Sequence, residues 1–166
     1  MNDAHLHLVF NHFPIIVPIV GMLILLVGFF TNNDTVKRTA FGVFIFGAIL
    51  TFPAMYTGEG AEEIAEKIPG ITKDIIHEHE EKAEALAIVN YILGIVSLIG
   101  FWASWKQKSF ANIIAIGALV VGLVGMYLAK QAGTSGGEIR HTEIRAGYDG
   151  TQGVAPGTNG TEGDDD

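Results

Sequence analysis

The chain is 166 residues long, with 49% hydrophobic residues, a mean hydropathy of +0.36 and a net charge of −8. That acidity argues against nucleic-acid binding, which relies on Lys and Arg to neutralise phosphates. The absence of cysteine excludes disulfides, thiolate ligands and covalently attached c-type haem.

Charge is missing in long stretches: no Asp, Glu, Lys or Arg occurs in 4–33, 39–58, 85–105 or 109–129. Each stretch can cross the ~30 Å hydrocarbon core of a bilayer at ~1.5 Å per residue. In lipid the backbone must satisfy its own hydrogen bonds, so the spans must be helices. The expected fold is all-α: an integral membrane four-helix bundle with helices near 13–31, 38–58, 83–105 and 109–130. Residues 1–146 form the transmembrane domain and 147–166 a Gly/Thr-rich acidic flexible tail.

The first helix is preceded by His5, His7 and His12, with Pro14 suited to its first turn and Asn11 or His12 near its N-cap. The chain opens Met1-Asn2-Asp3 without a basic start and runs apolar past Phe30, so the first helix is expected to be retained rather than cleaved as a signal peptide. The second helix leaves through Thr57-Gly58 into an acidic stretch where Ile64 and Ile68 sit four apart. That pattern predicts a short surface helix stopped by Pro69-Gly70.

Thr72 is placed to cap a third helix that extends unbroken to Trp105, far longer than a span requires. Along it His79, Ala83, Leu86, Asn90, Gly94 and Ser97 share one stripe that should face the bundle interior. His77, Glu80, Glu81 and Glu84 fall on or near another. The fourth helix is expected to end near Lys130, with 133–137 turning sharply so that 138–145, including Arg140, His141 and Arg145, folds back over the bundle.

Orientation follows from the short connections. Asp34, Lys37 and Arg38 lie in one loop and Lys106 and Lys108 in the other, which assigns both to the cytoplasm. All six histidines, His5, His7, His12, His77, His79 and His141, then fall on the opposite face, together with every acidic residue except Asp34. The expected placement is a bacterial inner membrane, multi-pass, N-out and C-out with both termini periplasmic.

The start of the chain resembles the bacterial domain-of-unknown-function family numbered 2231, small four-helix membrane proteins that open with a His, four residues, then His-Phe-Pro. Here those residues are His7 and His12-Phe13-Pro14. The resemblance extends to Thr57-Gly58, to His79 opening helix 3, and to Gly136-Gly137-Glu138-Ile139 followed by His141. It departs at Leu8, where the family usually has Pro, and in the closer spacing of His141. It implies the four-helix fold and a His-lined outer face.

Three functional readings follow from the clustered imidazoles. In the first, two of them hold haem b for electron transfer or quinol chemistry at the outer surface. His12 and His79 would be the axial pair, His7 or His141 substitutes, and Arg140 and Arg145 propionate partners. In the second, His7, His12, His79, His141, Glu59 and Glu63 bind zinc, copper or iron. In the third, the chain is a non-catalytic accessory subunit of a larger membrane complex, its histidines bonded to neighbouring acids. Partners beyond the lipid bilayer would be quinol, a periplasmic cytochrome steered by the acidic rim, or subunits of that complex.

Overall fold

A computed structural model describes residues 2–148. Six α-helices follow one another: α1 Asp3–Phe10, α2 Phe13–Phe30, α3 Asp34–Tyr56, α4 Gly58–Ala65, α5 Lys73–Trp105 and α6 Ala111–Arg140. A single 3-10 turn, Thr142–Ile144, comes after them. Four segments are long and apolar enough to cross a membrane, Asp3–Phe30, Asp34–Ala65, Lys73–Trp105 and Ala111–Arg140, and α1 and α4 are the short terminal pieces of the first two. Large side chains such as Leu23, Phe46, Ile95 and Ile113 are exposed around the bundle, which gives these helices an apolar outer surface.

The bundle closes in a ring. α2 packs on α3, α3 on α5, α5 on α6, and α6 returns to α2. Its interior is small and close-packed: Leu25, Phe41, Phe44 and Leu93 are the large apolar side chains fully enclosed. Around them α6 contributes Ala115, Ala118, Gly122, Gly125, Ala129, Ala132 and Ser135, a seam recurring every three or four residues.

One buried amide ties three helices together. Pro18 lies inside α2 and has no N–H, so the carbonyl of Pro14 one turn earlier has no helical donor. Asn90 of α5, 1% exposed, donates from Nδ2 to that carbonyl at 3.0 Å and to Thr51 Oγ1 of α3 at 3.3 Å. Thr51 in turn donates to the Gly47 carbonyl at 2.9 Å. The sequence stripe on α5 is observed: Leu86, Asn90, Gly94 and Ser97 are buried.

The end carrying the two basic connections, here called the lysine end, has a clamp of its own. Lys37 is 3% exposed, with Nζ donating to Asp34 Oδ1 at 3.0 Å and Asn112 Oδ1 at 2.8 Å and lying 5.5 Å from the centre of the Phe29 ring. Gly28 makes room for it, since a Cβ there would stand 2.7 Å from Lys37 Cγ. α3 is thereby fastened to the start of α6.

Two differences from the sequence reading concern helix ends at the opposite end of the bundle. Residues 3–10 form a helix of their own, capped by the Asn2 side chain accepting from the His5 N–H at 3.0 Å. α6 does not turn at 133–137 but continues as helix to Arg140. Glycines there allow close approach to α5, and the small-residue seam simply carries on through Ala132 and Ser135. The tail expected over 147–166 lies, from residue 149 on, outside the described residues.

Replacing Asn90 by Ala should lower stability by about 1 kcal/mol, the scale of an interhelical hydrogen bond in a membrane bundle. Pro18→Ala restores the missing N–H, so the Asn90→Ala penalty should shrink in that background. Thermal unfolding of the four proteins in mild detergent measures both, and equal penalties in the two backgrounds would refute the coupling.

Candidate functional site

All six histidines gather at the end opposite the lysine clamp, where α2 and α5 begin and α3 and α6 finish. They do not share one environment. His5 and His12 are exposed and His77 sits between Glu80 and Glu81 at 3.6 and 3.5 Å on the solvent side of α5. His12 occupies the N-cap position of α2, yet its side chain makes no capping bond.

His7 and His79 are different: both are half-buried, and each has its Nδ1 engaged by another helix. His7 Nδ1 lies 3.0 Å from the Ala54 carbonyl, in the last turn of α3 where the chain bends into α4. A carbonyl only accepts, so Nδ1 carries the proton. Thr57 Oγ1 stands 3.4 Å from the same nitrogen and itself donates to the Pro53 carbonyl at 2.8 Å.

His79 repeats the arrangement on the other side of the bundle. Its Nδ1 is 3.1 Å from Ser135 Oγ, and that hydroxyl also stands 3.2 Å from the Ala132 carbonyl, to which it can give its one hydrogen. With that hydrogen spent, Ser135 accepts from His79, and the Ala132 carbonyl lies within reach of the same ring. The Ala54 carbonyl fixes His7 with Nδ1 protonated, and with the Ser135 hydrogen on Ala132 His79 has the same tautomer, which leaves each Nε2 with its lone pair available. The rings are near enough for a charge on one to act on the other.

Glycines border both rings. Gly58 passes the His7 ring, where a Cβ would stand 3.8 Å from its Cε1. Gly136 packs against His79 so tightly that a Cβ would approach Cε1 to 2.9 Å. That contact accounts for Gly136, where α6 passes the imidazole at backbone distance, while Gly133 lies beside Ile15 and Gly137 beside Ile144.

The remaining expected site residues fall elsewhere. His141 caps the end of α6, exposed and bonded through Nδ1 to Glu143 Oε1 at 2.8 Å. The Glu143 carboxyl is held below the usual carboxylate range, first by its own backbone N–H and then by His141. Arg145 is committed to carbonyls: Nε to Glu138 at 2.7 Å, and its two terminal nitrogens to Ile139 at 3.1 Å and Gly70 at 3.2 Å. It closes the last turn of α6 and pins the α4–α5 connection to it. Arg140 is exposed, and Glu59 and Glu63 are exposed on α4.

Among the described residues no three His, Asp or Glu side chains come together as a metal-ion site. The arrangement offers two imidazoles, His7 and His79, from separate helices. The Ser135 and Ala54 partners escaped sequence reading, although the unbroken small-residue seam of α6 was a signal for Ser135.

No family model, curated protein or solved structure matches this chain.

Gly136→Ala should force His79 off its Ser135 partner and cost about 1–3 kcal/mol, the usual range for overpacking. Gly117→Ala, where a Cβ meets nothing within 4 Å, should be neutral or stabilising. Thermal unfolding distinguishes them, and a silent Gly136→Ala would mean that His79 is not held in the contact described.

Proposed function

We propose that this chain is a small membrane protein whose histidine end holds a cofactor between His7 and His79, with haem b in an electron-transfer role as the group this donor pair suits best. One observation carries the reading: two half-buried imidazoles on different helices, each with Nδ1 anchored by a partner on a distant helix and Nε2 left as the donor. Anchoring of the remote nitrogen is how proteins orient ligating histidines. Haem asks for two axial imidazoles, whereas a zinc ion is usually held by at least three protein ligands. When bound, haem supplies reversible one-electron chemistry. The chain's own residues would fix the tautomers through Ala54 and Ser135 and hold the rings through Gly58 and Gly136.

The pairing differs from the one expected from sequence, because His7 rather than exposed His12 has an anchored ring. The Lys and Arg of the lysine end support a reading in which the histidine end is non-cytoplasmic, and its partner would then be quinol within the bilayer or a basic periplasmic cytochrome drawn by the acids of α4 and α5. The short His7, His12-Phe13-Pro14 and Gly136-Gly137-Glu138 motifs fit membership of the domain-of-unknown-function family 2231, which adds a His-lined face and no activity.

A second reading rests on the same bonds. His7 latches α1 to the end of α3 and His79 latches α5 to α6, and in an accessory subunit they would be kept for that alone.

The test is a dithionite-reduced minus air-oxidised absorption spectrum of protein purified in mild detergent, with elemental analysis of the same sample. The expected result is a sharp α-band with stoichiometric iron, lost in His7→Ala and His79→Ala and retained in His12→Ala and His77→Ala. Full cofactor content in His7→Ala would overturn the pairing. A featureless spectrum with bound zinc or copper would transfer the site to a metal ion, and one without metal would leave the two histidines as latches.

A further inference from the structure

We propose that the groove between α3 and α5 at the lysine end binds one phospholipid with an anionic headgroup, held by the Arg38 guanidinium. The proposal is independent of the histidine pair and rests on the chain spanning a membrane.

The groove measures about 700 Å³ and is graded along its length. At its polar end Thr35, Arg38 and Thr39 occupy the first turns of α3. Trp105, the last residue of α5, stands at the same end, and deeper toward the bundle middle the groove is lined by Gly42, Val43 and Phe46 of α3 and Phe101 of α5. A Cβ on Gly42 would meet nothing within 4 Å, so this part of the groove is open because a side chain is missing. Phe46 and Trp105 are 54% and 63% exposed along it.

Arg38 supplies the charge. It is half-buried, and among the described residues its side chain makes one hydrogen bond, to Thr35 Oγ1 at 3.0 Å, and pairs with no carboxylate. A guanidinium has five N–H donors, so most of its capacity is unused. Thr35 Oγ1 accepts from Arg38 and keeps its own hydrogen for an anion. Among the described residues the sole acidic side chain at this end is Asp34, and it is bonded to Lys37. Lys106 and Lys108 add to the same positive field.

These facts select the occupant. A helix from a second copy would cover the apolar floor but bury Arg38 without a counterion, which is costly. A zwitterionic lipid would fill the floor and offer its phosphate to the same donors, but its quaternary ammonium would stand in the positive field of Arg38, Lys106 and Lys108. A phospholipid with a negatively charged headgroup satisfies both ends, and basic pockets between helices at a cytoplasmic surface are suited to such headgroups.

The experiment is native mass spectrometry of the full chain after incubation with phosphatidylglycerol and phosphatidylcholine in competition. Wild type should retain one phosphatidylglycerol in preference to phosphatidylcholine. Arg38→Gln should weaken phosphatidylglycerol retention roughly fivefold and abolish the preference, the scale of one interfacial cationic contact. Arg38→Lys should keep the preference, and Gly42→Leu, which fills open space, should reduce retention of both lipids. Equal retention of the two lipids by wild type would overturn the proposal. So would a preference that survives Arg38→Gln, or a Gly42→Leu variant that changes oligomeric state while lipid binding stays intact.

Discussion

A carbonyl without a donor, deep among apolar helices, is the constraint around which this bundle is arranged. Pro18 creates it at Pro14, and both prolines are buried among packed helices where an unpaired carbonyl is costly. The amide of Asn90 fills the gap and simultaneously engages Thr51, so α2, α3 and α5 meet at one point. α2 and α5 stand diagonally across the ring and share little other surface. The bond therefore sets the height of the long helix α5 against the rest, and with it the level at which His79 stands.

The rest of the packing obeys a different rule from that of a soluble core. Between apolar helices in lipid, burial of apolar surface gives no net drive, and close contact between backbones gives the cohesion. α6 accordingly meets its neighbours through Ala, Gly and Ser, while its own large side chains, among them Ile113, Val120, Leu123 and Tyr127, are turned outward. Polar fastenings then hold the two ends of the bundle. Lys37 clamps α3 to α6 at one end, and Arg145 closes α6 onto the α4–α5 connection at the other.

The two ends are built for opposite chemistry. At the lysine end the buried cation is neutralised by Asp34, and Arg38 beside it is left with donors facing a groove. At the histidine end the surplus is in acceptors: two imidazoles whose protonated nitrogens are already spoken for, amid an acidic surface helix and the acidic start of α5. A ligand that is electron-poor or metallic suits the second, and an anionic one suits the first. His5, His12 and His77 contribute to the polarity of the outer rim, and their exposure separates them from the pair that the bundle holds.

The sequence by itself determined the four spanning helices, because charge-free stretches of membrane length leave a backbone no alternative to helix, and it placed every histidine at one end of the bundle. The inward stripe of α5 was equally legible, since Asn90 and Ser97 recur at helical spacing in an apolar run. The run 133–137 misled: glycine and serine signal a turn in water, yet between packed helices they signal close approach, as Gly136 against His79 demonstrates. Which histidines are held by the bundle was decided only by tertiary structure. The group that fixes His7 is a carbonyl 47 residues away and the group that fixes His79 a hydroxyl 56 residues away. No local pattern encodes such partners, because they exist only once helix ends from distant parts of the chain have been brought to the same level.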